Sequence, residues 1–176
     1  EPLISGGAQE HGYRAGTENL AGIIGMATAA ELAFGAKGFE PTKAETLFAM
    51  ETASAHVLTL RNQMQQFICA NIPNVQVNGS RKSSLPGILS VSFKGVPGEA
   101  LLALLDQHGV CASAGSACAS GSLEPSHVLI AMGVQPEWLR GTVRFSFSPL
   151  TTEAEVEKTC EILREAVQHL RTVSAQ

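Results

Sequence analysis

Read as apolar and polar positions, the chain changes period several times. Near its end, Val156, Cys160, Leu163, Val167 and Leu170 recur at spacings of four and three, the period of one helical face. Thr152 and Glu155 stand ahead of them as a capping box. Together they predict an amphipathic helix packed on a sheet. Earlier, Leu47, Met50, Val57, Met64 and Ile68 make one stripe of a long helix over residues 42–71, which Pro73 ends. Met50 and Met64 read as core fillers in it. Between these helices the period drops to two. Leu89, Val91 and Phe93 alternate with Ile88, Ser90 and Ser92, and GTVRFSF over residues 141–147 alternates again. Both read as half-buried strands. Shorter strands are expected at residues 75–77 and 110–112.

Helix signals fill the gaps. Pro97 opens a helix over residues 98–108 with Leu101, Leu102, Leu104 and Leu105 inward, and Gly109 stops it. Ser126 caps a short helix over residues 127–132 that Gly133 stops, and Pro136 starts a turn of helix through Arg140. At the other end, Thr17 is placed to cap a helix over residues 18–35. The small residues Ala21, Gly22, Gly25, Ala29 and Ala30 predict a close approach of that helix to a neighbour. The order of elements describes an α+β fold, with a small, mostly antiparallel sheet covered by helices.

Composition narrows the classes. At 176 residues and 44% hydrophobic content the chain can build a proper core. Net charge is -4 and the longest basic cluster is Arg81-Lys82, which argues against nucleic acid as a partner. The apolar run over residues 20–30 ends at Glu31, far short of the ~20 residues a membrane span needs. No basic start followed by an apolar run reads as a signal peptide. The chain opens at Glu1 with strand and turn signals already present, so residue 1 is expected to lie inside a larger protein.

Of the four cysteines, Cys69 and Cys160 sit among apolar neighbours in helical patterns and are expected in the core. Cys111 is expected in a buried strand. It stands seven residues before Cys118, a spacing that suits no zinc site. Neither a metal centre nor a disulfide framework is predicted, and a reducing, cytoplasmic setting fits.

Candidate chemistry begins with residues 112–129, ASAGSACASGSLEPSHVL. Twelve of its first thirteen residues are Ala, Ser, Gly, Cys or Leu, with Cys118 in their midst. Small residues cannot cover a thiol, so the stretch reads as an accessible loop with weak order over residues 113–122. Cys118 is then either a free thiol in a surface turn or a nucleophile on a swinging arm. Arg144, on a late strand, is either a structural arginine or a bidentate partner for a carboxylate. The Gly12-to-Thr17 turn ahead of a helix is either an ordinary glycine turn or a phosphate site built from backbone N–H groups, Arg14 and Thr17.

Three stretches carry a resemblance in one order: GGAQEHGYRAGTEN over residues 6–19, AGSACASGSLEPSHVLIAMG over residues 114–133, and VRFSFSPLTT over residues 143–152. Together they resemble the NifS type of cysteine desulfurase, among the class V aminotransferase relatives of fold-type I. The resemblance implies a pyridoxal phosphate (PLP) enzyme that converts L-cysteine to L-alanine and leaves a persulfide on Cys118. It implies that Arg144 binds the substrate carboxylate and that Thr17 reaches the PLP phosphate of the partner subunit in a homodimer. It further implies a sulfur acceptor protein, either an iron–sulfur scaffold or a thiolation relay. His11 stands where the family motif usually carries Arg.

One expected feature is missing. The family's PLP lysine follows a histidine, and none of Lys37, Lys43, Lys82, Lys94 and Lys158 does. The resemblance therefore implies that the lysine and about half or more of the enzyme lie upstream. On that reading residues 1–20 are the last edge of the large PLP domain and residues 21–176 the C-terminal small domain, with the cysteine loop at about 112–125. This chain alone is then expected to be inactive and to hold no covalent PLP. Three other readings stay open: a free-standing sulfur-relay or binding module without PLP chemistry, a purely structural fragment with no activity of its own, and a selenocysteine lyase relative.

Overall fold

The two alternating stretches of the sequence lie side by side. The computed structural model describes residues 1–35, 42, 48–80, 83–114 and 126–174. In it, β2 (Ile88–Phe93) pairs antiparallel with β3 (Thr142–Ser146), and β1 (Val75–Val77) pairs antiparallel with the other edge of β2. The register sets Val91 opposite Val143, Leu89 opposite Phe145 and Ser90 opposite Arg144. Period-two alternation then sorts the sheet into one apolar face and one polar face.

Helices α2 (Met50–Asn71), α3 (Gly98–Gln107) and α6 (Glu153–Ser174) supply the rest of a single core. Met64 and Ile68 of α2, Leu101 and Leu105 of α3, and Leu163 and Val167 of α6 are buried with Leu89, Val91 and Phe93. Each such side chain contributes roughly 1.5–3 kcal/mol of burial free energy. The capping box at the head of α6 forms as expected: the Thr152 backbone N–H donates to Glu155 Oε2 at 2.7 Å, and Glu155 N–H donates to Thr152 Oγ1 at 3.3 Å.

Beneath the polar face, Ser92 is fully buried but satisfied. Its hydroxyl lies 2.7 Å from Thr142 Oγ1 and accepts from Asn78 Nδ2 at 2.9 Å. Helices α4 (His127–Ala131) and α5 (Pro136–Leu139) lead into β3. Gly141 is needed at that entry, because a Cβ there would lie 2.0 Å from the Phe93 carbonyl oxygen.

By contact the chain falls into two units, Glu1–Met50 and Glu51–Gln176. In the first, Ile4 and Arg14 form a parallel bridge, a 3-10 turn covers Gln9–Gly12, and α1 spans Leu20–Phe34. The small-residue helix expected to approach a neighbour has no buried residue among those described.

Several local expectations are corrected. Asn19, not Thr17, caps α1, with its side chain accepting from Gly22 N–H at 3.1 Å. Ser126 holds the N-cap position of α4 but makes no side-chain cap bond. The long helix begins at Met50, where that side chain is 47% exposed, so Met50 is no core filler. Leu47 lies outside the described residues. Cys69 is exposed, because it falls one step round the helix from buried Ile68. The strand expected at residues 110–112 does not form; a lone bridge at Ser113 stands in its place, and Cys111 is exposed. Cys160 is buried as expected.

Candidate functional site

Because β3 is an edge strand, its outer side is free to pair with another segment, and the chain that follows α3 takes it. Val110 turns back at the end of α3, its N–H donating to Leu105 O at 2.9 Å. Val110 and Ala112 pack against the core, which turns Cys111 outward and brings Ser113 to Arg144. The pairing there is reciprocal: Arg144 N–H donates to Ser113 O at 2.6 Å, and Ser113 N–H donates to Arg144 O at 3.1 Å. The foot of the cysteine loop is thereby fastened to the backbone of the candidate carboxylate-binding arginine. Ser113 was not singled out by sequence reasoning. Nothing in a run of small residues distinguishes the one that bridges.

The Arg144 side chain belongs to the polar face, since Val143 and Phe145 on either side of it are buried in the core. It is half-buried, and its Nε is buried with no hydrogen-bond partner among the described residues. A buried guanidinium N–H left without an acceptor costs about 1–3 kcal/mol. A carboxylate is the acceptor whose planar geometry and charge suit it best.

Thr17 is an exposed residue of the first unit. Its turn is built from inside the motif. Arg14 Nη1 donates to Gly16 O at 2.9 Å and to Thr17 O at 3.0 Å, while Gly16 N–H donates to Gln9 Oε1 at 3.3 Å. Arg14 therefore spends Nη1 on the turn's own carbonyls. Gly16 has φ +96, a left-handed conformation that favours glycine. Glu10 and His11 are left-handed as well, at φ 50 and 56, which is uncommon for residues with a Cβ.

Cys118, with the loop around it, lies outside the described residues. The structure thus brings Arg144 together with the foot of the loop, and places Thr17 in the other unit.

Each candidate donor, taken within its own unit, has chemistry that PLP and its substrate can use. The exposed Thr17 hydroxyl suits a phosphate oxygen and Arg144 suits a substrate carboxylate. Neither described lysine follows a histidine, the setting that the family resemblance implies for the PLP lysine. Lys94 pairs with Glu137 at 2.9 Å and lies 5.6 Å from the centre of the Trp138 ring, while Lys158 is exposed on α6. Among the described residues no cluster of His, Cys, Asp and Glu is arranged to hold a metal, and no helix is long and apolar enough to cross a membrane.

Comparison with known proteins adds a family. The model of the aminotransferase class-V family matches residues 5–159. A cysteine desulfurase of Nostoc sp. is 45% identical over 173 residues, covering 98% of this chain and 40% of the relative. The cysteine desulfurase NifS of Azotobacter vinelandii is 43% identical over 173 residues, with the same coverage of 98% and 40%. A solved NifS-like protein superposes with a TM-score of 0.73 at 31% identity, covering 96% of this chain and 39% of that one. The chain thus spans about two fifths of the length of the curated relatives it matches.

Proposed function

The chain belongs to the class V aminotransferase family, and on that premise we propose that it is the C-terminal portion of a PLP-dependent cysteine desulfurase. In this reading residues 1–20 are the last edge of the large domain and residues 21–176 are the small domain. The observation that carries it is the reciprocal pairing of Ser113 with Arg144. Cys118 follows Ser113 by five positions. A substrate held by its carboxylate at Arg144 therefore lies in the same domain as a thiol whose loop follows the residue paired with the Arg144 backbone.

Bound PLP supplies an electron sink for chemistry at the substrate's α-carbon. The chain's own residues do the rest. Arg144 fixes L-cysteine through its carboxylate, and the orphaned Nε gains an acceptor. The Cys118 thiolate attacks the substrate Sγ. An S–S bond forms, the Cβ–Sγ bond breaks, and protonation at carbon leaves L-alanine. Cys118 then holds the sulfur as a persulfide for an acceptor protein, an iron–sulfur scaffold or a thiolation relay. Thr17 contributes to the phosphate of the partner subunit's PLP in a homodimer. A reducing compartment, the cytoplasm, keeps such a thiol available.

On this reading the chain by itself forms no alanine, since it carries no lysine in the required setting. The test compares the full-length protein with this chain alone, both given PLP and L-cysteine. Alanine should form only with the full-length protein. Arg144→Ala in that protein should raise KM for L-cysteine at least about tenfold, the loss expected for hydrogen bonds to a charged group. An unchanged KM would remove Arg144 from the site. Alanine formation by this chain alone would overturn its assignment as a dependent portion. Sulfur uptake on this chain, supplied by a separate desulfurase and without alanine formation, would favour a relay module.

A further inference from the structure

Outside the region of Arg144, α2 and α6 leave an open groove of about 590 Å³ between them. Its floor is apolar: Val156 and Cys160 are buried, and Phe67 packs partly against the core. Its rim is acidic. Glu153, Glu157 and Glu161 line it at intervals of four residues, which stacks them along one face of α6. Lys158 is the one cation among its lining residues. Glu161 is partly engaged by Arg164 on the same helix.

Gln63 gives the groove a direction. Its Nε2 donates to Glu153 Oε1 at 2.7 Å. A carboxylate only accepts here, so this bond settles which end of the amide faces Glu153. The other end, Oε1, is buried and has no donor among the described residues. A buried acceptor without a donor is costly. The groove therefore presents the partly exposed Phe67 ring and a negative rim, with an acceptor that lacks a donor just beneath them. A side chain with an apolar stem and a cationic head rich in N–H groups satisfies all of these at once. The same rim repels phosphate groups, so nucleic acid and anionic membranes are poor guests.

We propose that the α2–α6 groove docks a basic, amphipathic segment of a partner protein, with a Lys or Arg stem laid along Phe67 and its head shared between Gln63 Oε1 and the glutamate rim. The site does not use Cys118 or Arg144, so its fate is separable from that of the desulfurase reading.

Fluorescence anisotropy with a labelled helical peptide of Arg and Leu tests it, against a peptide of equal length with Glu in place of Arg. The Arg peptide should bind this chain and the Glu peptide should not. The pair Glu157→Lys and Glu161→Lys should weaken binding at least about tenfold. The pair Glu99→Lys and Asp106→Lys makes the same change in net charge on exposed residues of α3 that do not line the groove. It should weaken binding less than about threefold. Gln63→Leu, a milder change that keeps the rim, should weaken binding several-fold by removing the acceptor. Circular dichroism on each variant should match the parent chain. Equal weakening by the two charge-reversal pairs, equal binding of both peptides, or no binding of the Arg peptide would overturn the proposal.

Discussion

Helices α1 and α6 are built on opposite plans. Over its 22 residues α6 is amphipathic, opens with a capping box, and buries Val156, Cys160, Leu163 and Val167 in the core. The 15 residues of α1 are apolar nearly all round, yet Ile23, Ile24, Met26 and Phe34 are all exposed. A helix with one apolar stripe specifies which side is covered and leaves the rest to water. A helix apolar on every side specifies only that it is to be covered. The contrast separates stability that resides within the described core from apolar surface that this core does not absorb.

Core truncation should separate the two most sharply. Leu163→Ala removes a fully buried side chain and should destabilise the chain by about 2–5 kcal/mol. Ile24→Ala, at a position 57% exposed, should change stability by less than about 0.5 kcal/mol. Urea denaturation of the two variants measures both. Comparable losses would mean that α1 is anchored as firmly as α6.

A smaller effect should come from the head of α6. Thr152→Ala removes the cap acceptor and should cost about 1 kcal/mol. The Thr152 backbone N–H, and then its hydroxyl, hold the Glu155 carboxyl below the ordinary glutamate value. A depressed carboxylate stabilises the fold above its unfolded pKa and loses that contribution as pH falls through the folded one. Glu155→Gln should therefore flatten the stability curve on the acid side while leaving its slope near neutrality unchanged. Urea midpoints across acid pH provide the check.

The thiols should give the finest contrast, one of rate. Burial, and then the carboxylates of Glu161 and Glu157, push the Cys160 thiol up to about 11. Near pH 8 it stays protonated and covered. Iodoacetamide should label exposed Cys69 and Cys111 in the native chain and reach Cys160 only after denaturation. Rapid native labelling of Cys160 would show that the packing that covers its thiol opens in the native chain.

Much of this architecture was legible from period alone, and the exceptions have local causes. The faces of β2 and β3 followed from their two alternations, but the register that sets Val91 opposite Val143 and Ser90 opposite Arg144 did not, since a slip of two residues keeps the same faces. The α6 face followed from spacings of four and three. Cys69 was misplaced because apolar neighbours along the chain are not neighbours round a helix; buried Val57, Leu60, Met64 and Ile68 define a face that excludes it. Residues 110–112 alternate as a strand would, with Val110 and Ala112 inward, but the run is too short to build a ladder and Cys111 turns outward. Thr17 was the first capping residue in its turn, yet its carbonyl is held by Arg14, and Asn19 two residues later meets the helix N–H groups. At the site, Arg144 was legible as a charge on an alternating strand. Its tie to Ser113 was not, since a long-range bridge leaves no mark on a Ser/Ala/Gly run.

The proposed destination of the sulfur is most directly tested by mass spectrometry. The full-length protein, loaded with PLP and given a single turnover of L-cysteine without reductant, would be digested and its cysteine peptides weighed. One added sulfur atom on the peptide carrying Cys118, absent in Cys118→Ser, is the expected result. Alanine formation with the sulfur on Cys111 or Cys69, or with unchanged formation in Cys118→Ser, would contradict the account.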